Sequence, residues 1–288
     1  MIWLFVFIYL ALATSLAASI ARILRYARLP LNLRWELYPV PHEDATHAGH
    51  GGSYFEDLDW WTKPSRRNAL GEWKAMAAEI LLLRAMFHHN RRLWRCSYPF
   101  HLGLYLSILT GLAAVAGLAL PWVGLAGCLL VMAGATGLLI HRIRDRKLRL
   151  YSAPADFFNL CFFITAAGLL ASSKIAGDGL SLAAVAEALR TFDTTISLPA
   201  LQAAAMAVAA LLIAYIPMTH MAHFIGKYFA YHAIRWSDQP SATLTGVERR
   251  IAEYLAYKPD WSAPHVGADG ATSWADIASR TPAEGKPK

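Results

Sequence analysis

Five long apolar stretches dominate the pattern of hydrophobic and polar positions along the chain. They are Ile2–Ala21, Pro99–Leu120, Trp122–Ile140, Ala155–Ile175 and Pro199–Met221, with Asp156 at the rim of the fourth. Each is long enough to cross a hydrocarbon core, which takes about 20 helical residues. Only helices or closed barrels satisfy backbone groups in lipid, and these stretches lack the alternation of barrel strands. The sequence therefore predicts an all-α integral membrane protein, a bundle of five transmembrane helices.

The basic residues are concentrated on one side of this bundle. Of the 27 Lys and Arg residues, all but Lys174 and Arg190 fall in segments that the five spans place on the same face. The positive-inside rule assigns that face to the cytoplasm. We therefore expect the N-terminus outside and the C-terminus in the cytoplasm, in the cytoplasmic (inner) membrane of a bacterium. The same bias accounts for the net charge of +7, which does not indicate nucleic-acid binding.

Two cytoplasmic segments are longer than simple connectors need to be. The loop 22–98 contains a stretch of helical composition, Gly71–Arg95, which carries charges and cannot span. We expect it to form an interfacial helix with its tryptophans at headgroup depth. The second segment is the tail 237–288, which follows a membrane domain predicted to cover 1–236.

Histidines gather near the cytoplasmic ends of the predicted spans. They are His101, His141, His220, His223 and, just beyond the fifth span, His232. Ionisable residues within spans are costly and point to function. His101 and His223 fall at matching depths on helices two and five, as two imidazoles must to hold one haem iron between them. The residues alone leave two alternatives open: histidines that only hydrogen-bond to headgroups, and His220 as the ligand in place of His223.

Several short motifs resemble those of a known family. PFHLGLYL in helix two and PMTHMAHF in helix five are similar to the b-type cytochrome subunit, or gamma chain, of respiratory nitrate reductase. RWELYPVPHE, GGSYFEDLDWW, HHNRRLW and THMAHFIGKYFAYHAIRW resemble more closely the gamma-chain relatives that partner heterodisulfide-reductase-like iron–sulfur subunits. The resemblance covers roughly Met1–Asp238 and agrees with the topology deduced above.

The resemblance implies two haems b stacked across the membrane, each held by one histidine from helix two and one from helix five. Carried over position by position, the cytoplasmic pair falls on His101 and His223. The outer pair falls on Gly111 and Ala205, neither of which can ligate iron. We therefore expect one haem b, close to the cytoplasmic face, and no outer haem of the usual form.

Other residues near this site have secondary roles in the scheme. His220 is expected beside the haem or at a quinone head, and His141 and His232 are the candidate ligands of a second haem if either finds a partner. Gly103 and Gly111 of helix two and the AGATG run of helix three are expected to let the backbone approach a flat macrocycle.

These expectations describe the haem b membrane subunit of a respiratory oxidoreductase complex. It would transfer electrons between a cytoplasmic iron–sulfur partner, heterodisulfide-reductase-like, and the membrane quinone pool, without being active alone. The three cysteines have no iron–sulfur spacing, so clusters would belong to the partner. One alternative is a haem-free membrane anchor that recruits a soluble redox enzyme. Another is a transporter, against which stands the expected absence of broken helices and of midplane charges such as transporters use.

Overall fold

The computed structural model describes residues 1–29, 38–43, 45–63, 68–238, 245–260 and 268–280, and regular structure within them is helical, without a strand. The helices are α1 (Ile2–Ala27), α2 (Ala45–Ala48), α3 (Ala69–Leu82), α4 (Arg84–His89), α5 (Arg91–Val115), α6 (Pro121–Arg144), α7 (Arg146–Leu150), α8 (Pro154–Ala176), α9 (Leu182–Thr191), α10 (Ala200–Tyr215), α11 (His223–Ala230), α12 (Thr245–Leu255) and α13 (Trp274–Ser279). Short 3₁₀ turns are Tyr54–Glu56, Trp60–Thr62, Ile216–Met218 and His220–Ala222, and Tyr231–Arg235 is a π-helical turn. The prediction of an all-α protein is confirmed. Residues 34–37 of the RWELYPVPHE motif lie outside the described residues.

Five helices are long and apolar enough to cross a membrane. They are α1, α5, α6, α8 and the segment Ala200–Met218, which joins α10 to the turn after it. Between 17% and 33% of the residues in their most apolar windows are buried within the protein, so most of their apolar surface faces outward. Helices that are apolar on all sides suit a lipid surrounding. The prediction of five spans is confirmed, and the chain is a multi-pass membrane protein.

The second span begins and ends earlier than predicted. α5 starts at Arg91 because the Asn90 side chain accepts a backbone hydrogen bond of 3.0 Å from the third helical residue. α5 ends at Val115, and Gly117 turns the chain with a φ of +81°. The prediction that Pro121 alone links the second and third spans is wrong. Pro121 is instead the first residue of α6, a position that suits its fixed φ.

The predicted interfacial helix is divided into shorter helices. α3 ends at Leu82, Leu83 adopts a left-handed conformation with a φ of +51°, and α4 follows. The buried Glu79 side chain accepts a hydrogen bond of 2.8 Å from the backbone nitrogen of Ala85, which stabilises this break. Gly71–Arg95 is therefore helical in composition, as expected, but it is not one continuous helix.

The spans belong to the first of two compact units. This unit contains residues 1–27 and 68–226. Within it α5 packs on α6, α6 on α8, α8 on α10 and α10 on α1. The core between α5, α6 and α8 is centred on the buried side chains of Phe100, Val131 and Phe163.

Glycines bring α5 and α6 into close contact. A Cβ built on Gly103 would lie 2.6 Å from the carbonyl oxygen of Gly127, and one built on Gly134 would lie 2.4 Å from the backbone nitrogen of Phe100. Small residues permit this approach of two backbones. The expectation that Gly103 and the AGATG run border a macrocycle is therefore wrong for Gly103 and Gly134, because both face the helix–helix contact.

The second unit contains residues 28–67 and 227–288. In it Tyr54 Oη donates a hydrogen bond of 2.8 Å to Asp238 Oδ2, and His42 Nε2 lies 3.0 Å from the same oxygen. His42 and Asp238 are both buried. These contacts join the GGSYFEDLDWW motif to the chain that follows the THMAHFIGKYFAYHAIRW motif.

Candidate functional site

His101 and His223 come together at one end of the span bundle. This end, called here the basic end, is where α5 begins, α6 ends and α8 begins, and it carries Arg91, Arg142 and Arg144. The imidazole ring centroids of His101 and His223 are 6.2 Å apart, and the rings are inclined at 72°. The structure thus brings together the two residues that the sequence singled out as a pair.

A hydrogen bond fixes the orientation of the His101 ring. Its Nδ1 donates to the carbonyl oxygen of Ser97, one turn earlier in α5, at 2.7 Å. A carbonyl oxygen can only accept, so Nδ1 carries a proton, and in the neutral ring Nε2 then carries the lone pair. Histidines that ligate metals use this arrangement, because the second ring nitrogen is held by a carbonyl or carboxylate.

The spacing of the two rings suits one metal ion between them. Two imidazoles on opposite sides of one ion place their ring centroids about 6 Å apart, because each nitrogen–metal bond is about 2 Å long. The observed 6.2 Å agrees with this value. Among the described residues, no three or more His, Cys, Asp or Glu side chains lie together in a way that could hold a metal ion. His101 and His223 could together hold a metal-containing cofactor that brings further ligands of its own.

The fifth span is broken close to these residues. α10 ends at Tyr215, Pro217 has no N–H to continue the helical bonding, and Thr219 is extended, with φ −118° and ψ −179°. The Thr219 hydroxyl accepts a hydrogen bond of 3.2 Å from the backbone nitrogen of Met221, and α11 begins at His223. The expectation of an unbroken fifth helix is wrong. The absence of broken helices therefore no longer counts against a transporter.

The break separates His220 from His223. In a regular helix the rings of His220 and His223 would lie on the same face, about one turn apart. Instead His220 Nε2 lies 3.1 Å from Asp156 Oδ1 and 3.3 Å from Asn159 Nδ2, both on α8. His220 thus contacts α8, whereas His223 contacts His101 on α5.

A polar network extends from the contact between His220 and α8. Tyr215 Oη donates a hydrogen bond of 2.8 Å to Asn159 Oδ1, and Arg142 Nη1 lies 3.5 Å from Asp156 Oδ2. Asn159 is 3% exposed and lies in the second turn of the apolar helix α8. Sequence reasoning missed Asn159 and Tyr215. An amide side chain inside a predicted span was the signal that could have found them.

The two candidate ligands for a second haem lie in different units. His141 is half-buried in the last turn of α6, in the first unit. His232 belongs to the second unit, where its ring stacks on Tyr228 at 4.2 Å and its Nδ1 donates to the Tyr228 carbonyl oxygen at 2.9 Å.

The opposite end of the bundle holds a cavity of about 340 Å³. It lies where α5 and α8 end and α6 and α10 begin, and its walls include Thr110, Lys174 and Ala205. Ala205 is one of the two positions that the family resemblance assigns to an outer haem. The other, Gly111, follows Thr110 in the sequence, and a Cβ added there would meet nothing within 4 Å. No histidine lines this cavity within the described part of the chain.

Comparison of the chain with protein-family models, with curated proteins and with solved structures gives no match. Function is therefore inferred from the residues at the two ends of the bundle. At the basic end, the paired imidazoles could bind a metal, and the His220 network could hold or transfer a proton.

Proposed function

We propose that this chain is the haem b membrane subunit of a respiratory oxidoreductase that exchanges electrons between a cytoplasmic iron–sulfur partner and the membrane quinone pool. The observation that carries the proposal is the 6.2 Å spacing of the His101 and His223 rings. The same two residues are the pair that the sequence places at matching depths on helices two and five. Haem, when bound, would supply one-electron chemistry, which no side chain of this pair supplies.

The chain's own residues provide ligation and rigidity. His101 and His223 would each present a neutral ring nitrogen, and the Ser97 carbonyl would hold the His101 ring in its ligating tautomer. The close α5–α6 contact at Gly103 and Gly134 fixes the helix that carries His101. A ligand held by rigid elements keeps its geometry through a change of iron charge.

In this proposal the basic end faces the cytoplasm. The positive-inside rule supports this orientation, since Arg91, Arg142 and Arg144 lie at the same end as the histidine pair. The N-terminus of α1 would then be outside. The membrane would be the inner membrane of a bacterium.

The second unit offers apolar surface to a soluble partner. Phe55 and Trp60 stack at 3.9 Å, and beside them Leu58 is 83% exposed and Trp61 is 55% exposed. Exposed apolar side chains that lie close together are typical of docking surfaces. We assign this surface to the heterodisulfide-reductase-like iron–sulfur subunit of the proposed complex.

A reduced-minus-oxidised spectrum of the purified protein tests the proposal. The α-band of a low-spin b-type haem is expected for the natural chain and for the matched control His88→Ala. Copurification should recover an iron–sulfur protein that is lost when Leu58 and Trp61 are both changed to Ser. A protein without haem that still recovers the partner would instead support the haem-free anchor.

A further inference from the structure

The cavity at the opposite end of the bundle has a mostly apolar wall and lies within the first unit. Its volume of about 340 Å³ falls in the range of roughly 300–1,000 Å³ that is typical of small-molecule sites. The apolar side chains that line it include Leu125 on α6, Leu170 on α8 and Met206 on α10. The described lining residues include no member of the histidine pair or of the His220 network. The cavity is therefore separate from the basic-end site.

A side-chain clamp holds one wall of this cavity in place. The Gln202 amide on α10 accepts a hydrogen bond of 3.0 Å from the backbone nitrogen of Leu180 and donates one of 2.7 Å to the Leu180 carbonyl oxygen. Just before this point α8 ends at Ala176, and Gly177 turns the chain with a φ of +76°. The loop between α8 and α9 is thus fixed against α10, and it defines this side of the cavity.

The polar groups at the mouth of the cavity are hydrogen-bond donors. Lys174, exposed in the last turn of α8, is the one charged side chain among the described lining residues, and no ion pair or hydrogen bond of its side chain occurs within the described part of the chain. The exposed Ser181 hydroxyl accepts a hydrogen bond of 3.1 Å from the backbone nitrogen of Ala184, which leaves its own proton to donate. The hydroxyls of Ser107 and Thr110 instead donate to carbonyl oxygens one turn earlier in α5.

We propose that this cavity binds one acyl chain whose anionic head group, a carboxylate or a phosphate, lies against Lys174 and Ser181. The chain would pass between Leu125, Leu170 and Met206, and an oxygen of the head group would accept hydrogen bonds from the ammonium and the hydroxyl. A free fatty acid and an anionic phospholipid share this chemistry. The proposal depends neither on haem nor on the histidine pair.

The head group decides which molecule binds. Lipid tails are as apolar as the side chains of the cavity wall, so moving an acyl chain from the bilayer into the cavity contributes little free energy. The pairing of Lys174 with a negative oxygen is available only to an anionic molecule, because a neutral one gains no charge attraction. Acyl chains with acidic heads should therefore bind in preference to neutral chains of equal length.

The test uses the full chain in nanodiscs of phosphatidylcholine, which carries no net charge. Two photoactivatable probes are titrated by mole fraction: palmitic acid with a diazirine in its chain, and phosphatidylglycerol that carries the same diazirine chain. Peptide mass spectrometry locates the label. We expect saturable labelling within residues 107–128 and 170–206, which supply the cavity wall. The probe that saturates at the lower mole fraction identifies the source as a fatty acid or a phospholipid.

Substitution of Lys174 should weaken this labelling selectively. Lys174→Gln is expected to raise the half-saturating mole fraction roughly fivefold, the upper limit for an exposed ion pair, and Lys174→Arg should restore it. Arg190→Gln is the matched control and should change nothing. Arg190 lies on α9 outside the described cavity lining, and its Nε donates a hydrogen bond of 3.1 Å to Glu187.

Three results would overturn the proposal. Label could be spread over the spans without saturation, Lys174→Gln could be labelled like the natural chain, or hexadecanol with the same diazirine could saturate at the mole fraction of palmitic acid. Displacement of both acidic probes by an equal mole fraction of menadione would assign the cavity to a neutral quinone ring and would overturn the proposal as well.

Discussion

The two ends of the span bundle are built from the same helices but carry different side chains. At the basic end α5 contributes His101 and the broken fifth span contributes His220 and His223. At the opposite end the same two spans contribute Thr110 and Ala205 to the wall of a cavity of about 340 Å³, and Gly111 follows Thr110 in the sequence. One end has candidate ligands, and the other has a cavity that no histidine lines among the described residues.

Under the proposed function, this difference teaches that a helical scaffold can keep its spans while it loses one of its cofactor sites. A site for one haem needs a ligand from each of two helices at one depth, and single substitutions remove it. In the proposed function, all redox chemistry of this chain lies near the cytoplasmic face. Electron transfer through the chain alone would then move little charge across the membrane.

Removing either member of the pair should have the largest effect. His101→Ala and His223→Ala are each expected to abolish the low-spin haem b spectrum, because six-coordinate iron needs both axial nitrogens. His88→Ala serves as the control and should keep it. If His220→Ala lost the spectrum and His223→Ala kept it, the ligand would be His220 and not His223.

Reporter fusions should distinguish the two ends by membrane side. A fusion at Gly49 is expected to report the cytoplasm, and a fusion at Gly179, beside the opposite-end cavity, is expected to report the outside. Alkaline phosphatase and fluorescent-protein activities measure the two outcomes. Identical reports from both positions would contradict the five-span topology.

Adding volume should be harmful at one glycine and tolerated at another. Gly134→Leu is expected to lower the free energy of unfolding in detergent by about 1–3 kcal/mol, because its Cβ meets the α5 backbone. Gly111→Leu should change it little, because nothing lies within 4 Å of its Cβ. Thermal unfolding of the two variants makes the comparison, and equal destabilisation would refute the close α5–α6 contact.

Tyr215→Phe should have the smallest effect. It removes the hydrogen bond to Asn159 and is expected to cost about 1 kcal/mol of stability while leaving the haem spectrum unchanged. Tyr151→Phe is a matched control, because Tyr151 is 90% exposed. A loss of haem in Tyr215→Phe would mean that the Asn159 network supports iron ligation.

The spans and the histidine pair could be predicted from the sequence because each depends on one simple rule. Hydropathy over about 20 residues decides whether a helix can span, and counting along two helices matched the depths of His101 and His223. The break in the fifth span could not be found in this way. Pro99 lies inside α5 without ending it, whereas Pro217 is followed by Thr219, whose hydroxyl caps a new turn. Whether a proline ends the helix depends on the capping of the residues that follow it, and hydropathy contains no information about capping.

The His220 network also could not be predicted from the sequence. Its members come from three helices and the 3₁₀ turn that holds His220, and regular helical spacing predicted His220 near His223, not against Asp156. The glycines illustrate the same limit, because a small residue can open space or close it depending on its neighbour. Gly111 meets nothing within 4 Å, whereas Gly103 meets α6.

Pyridine haemochrome quantification against protein tests the central claim most directly. The account predicts one haem b per chain, held by His101 and His223 at the basic end. A ratio near two would contradict it by requiring a second site, and a ratio of zero in protein purified from its native membrane would contradict the histidine pair as an iron site.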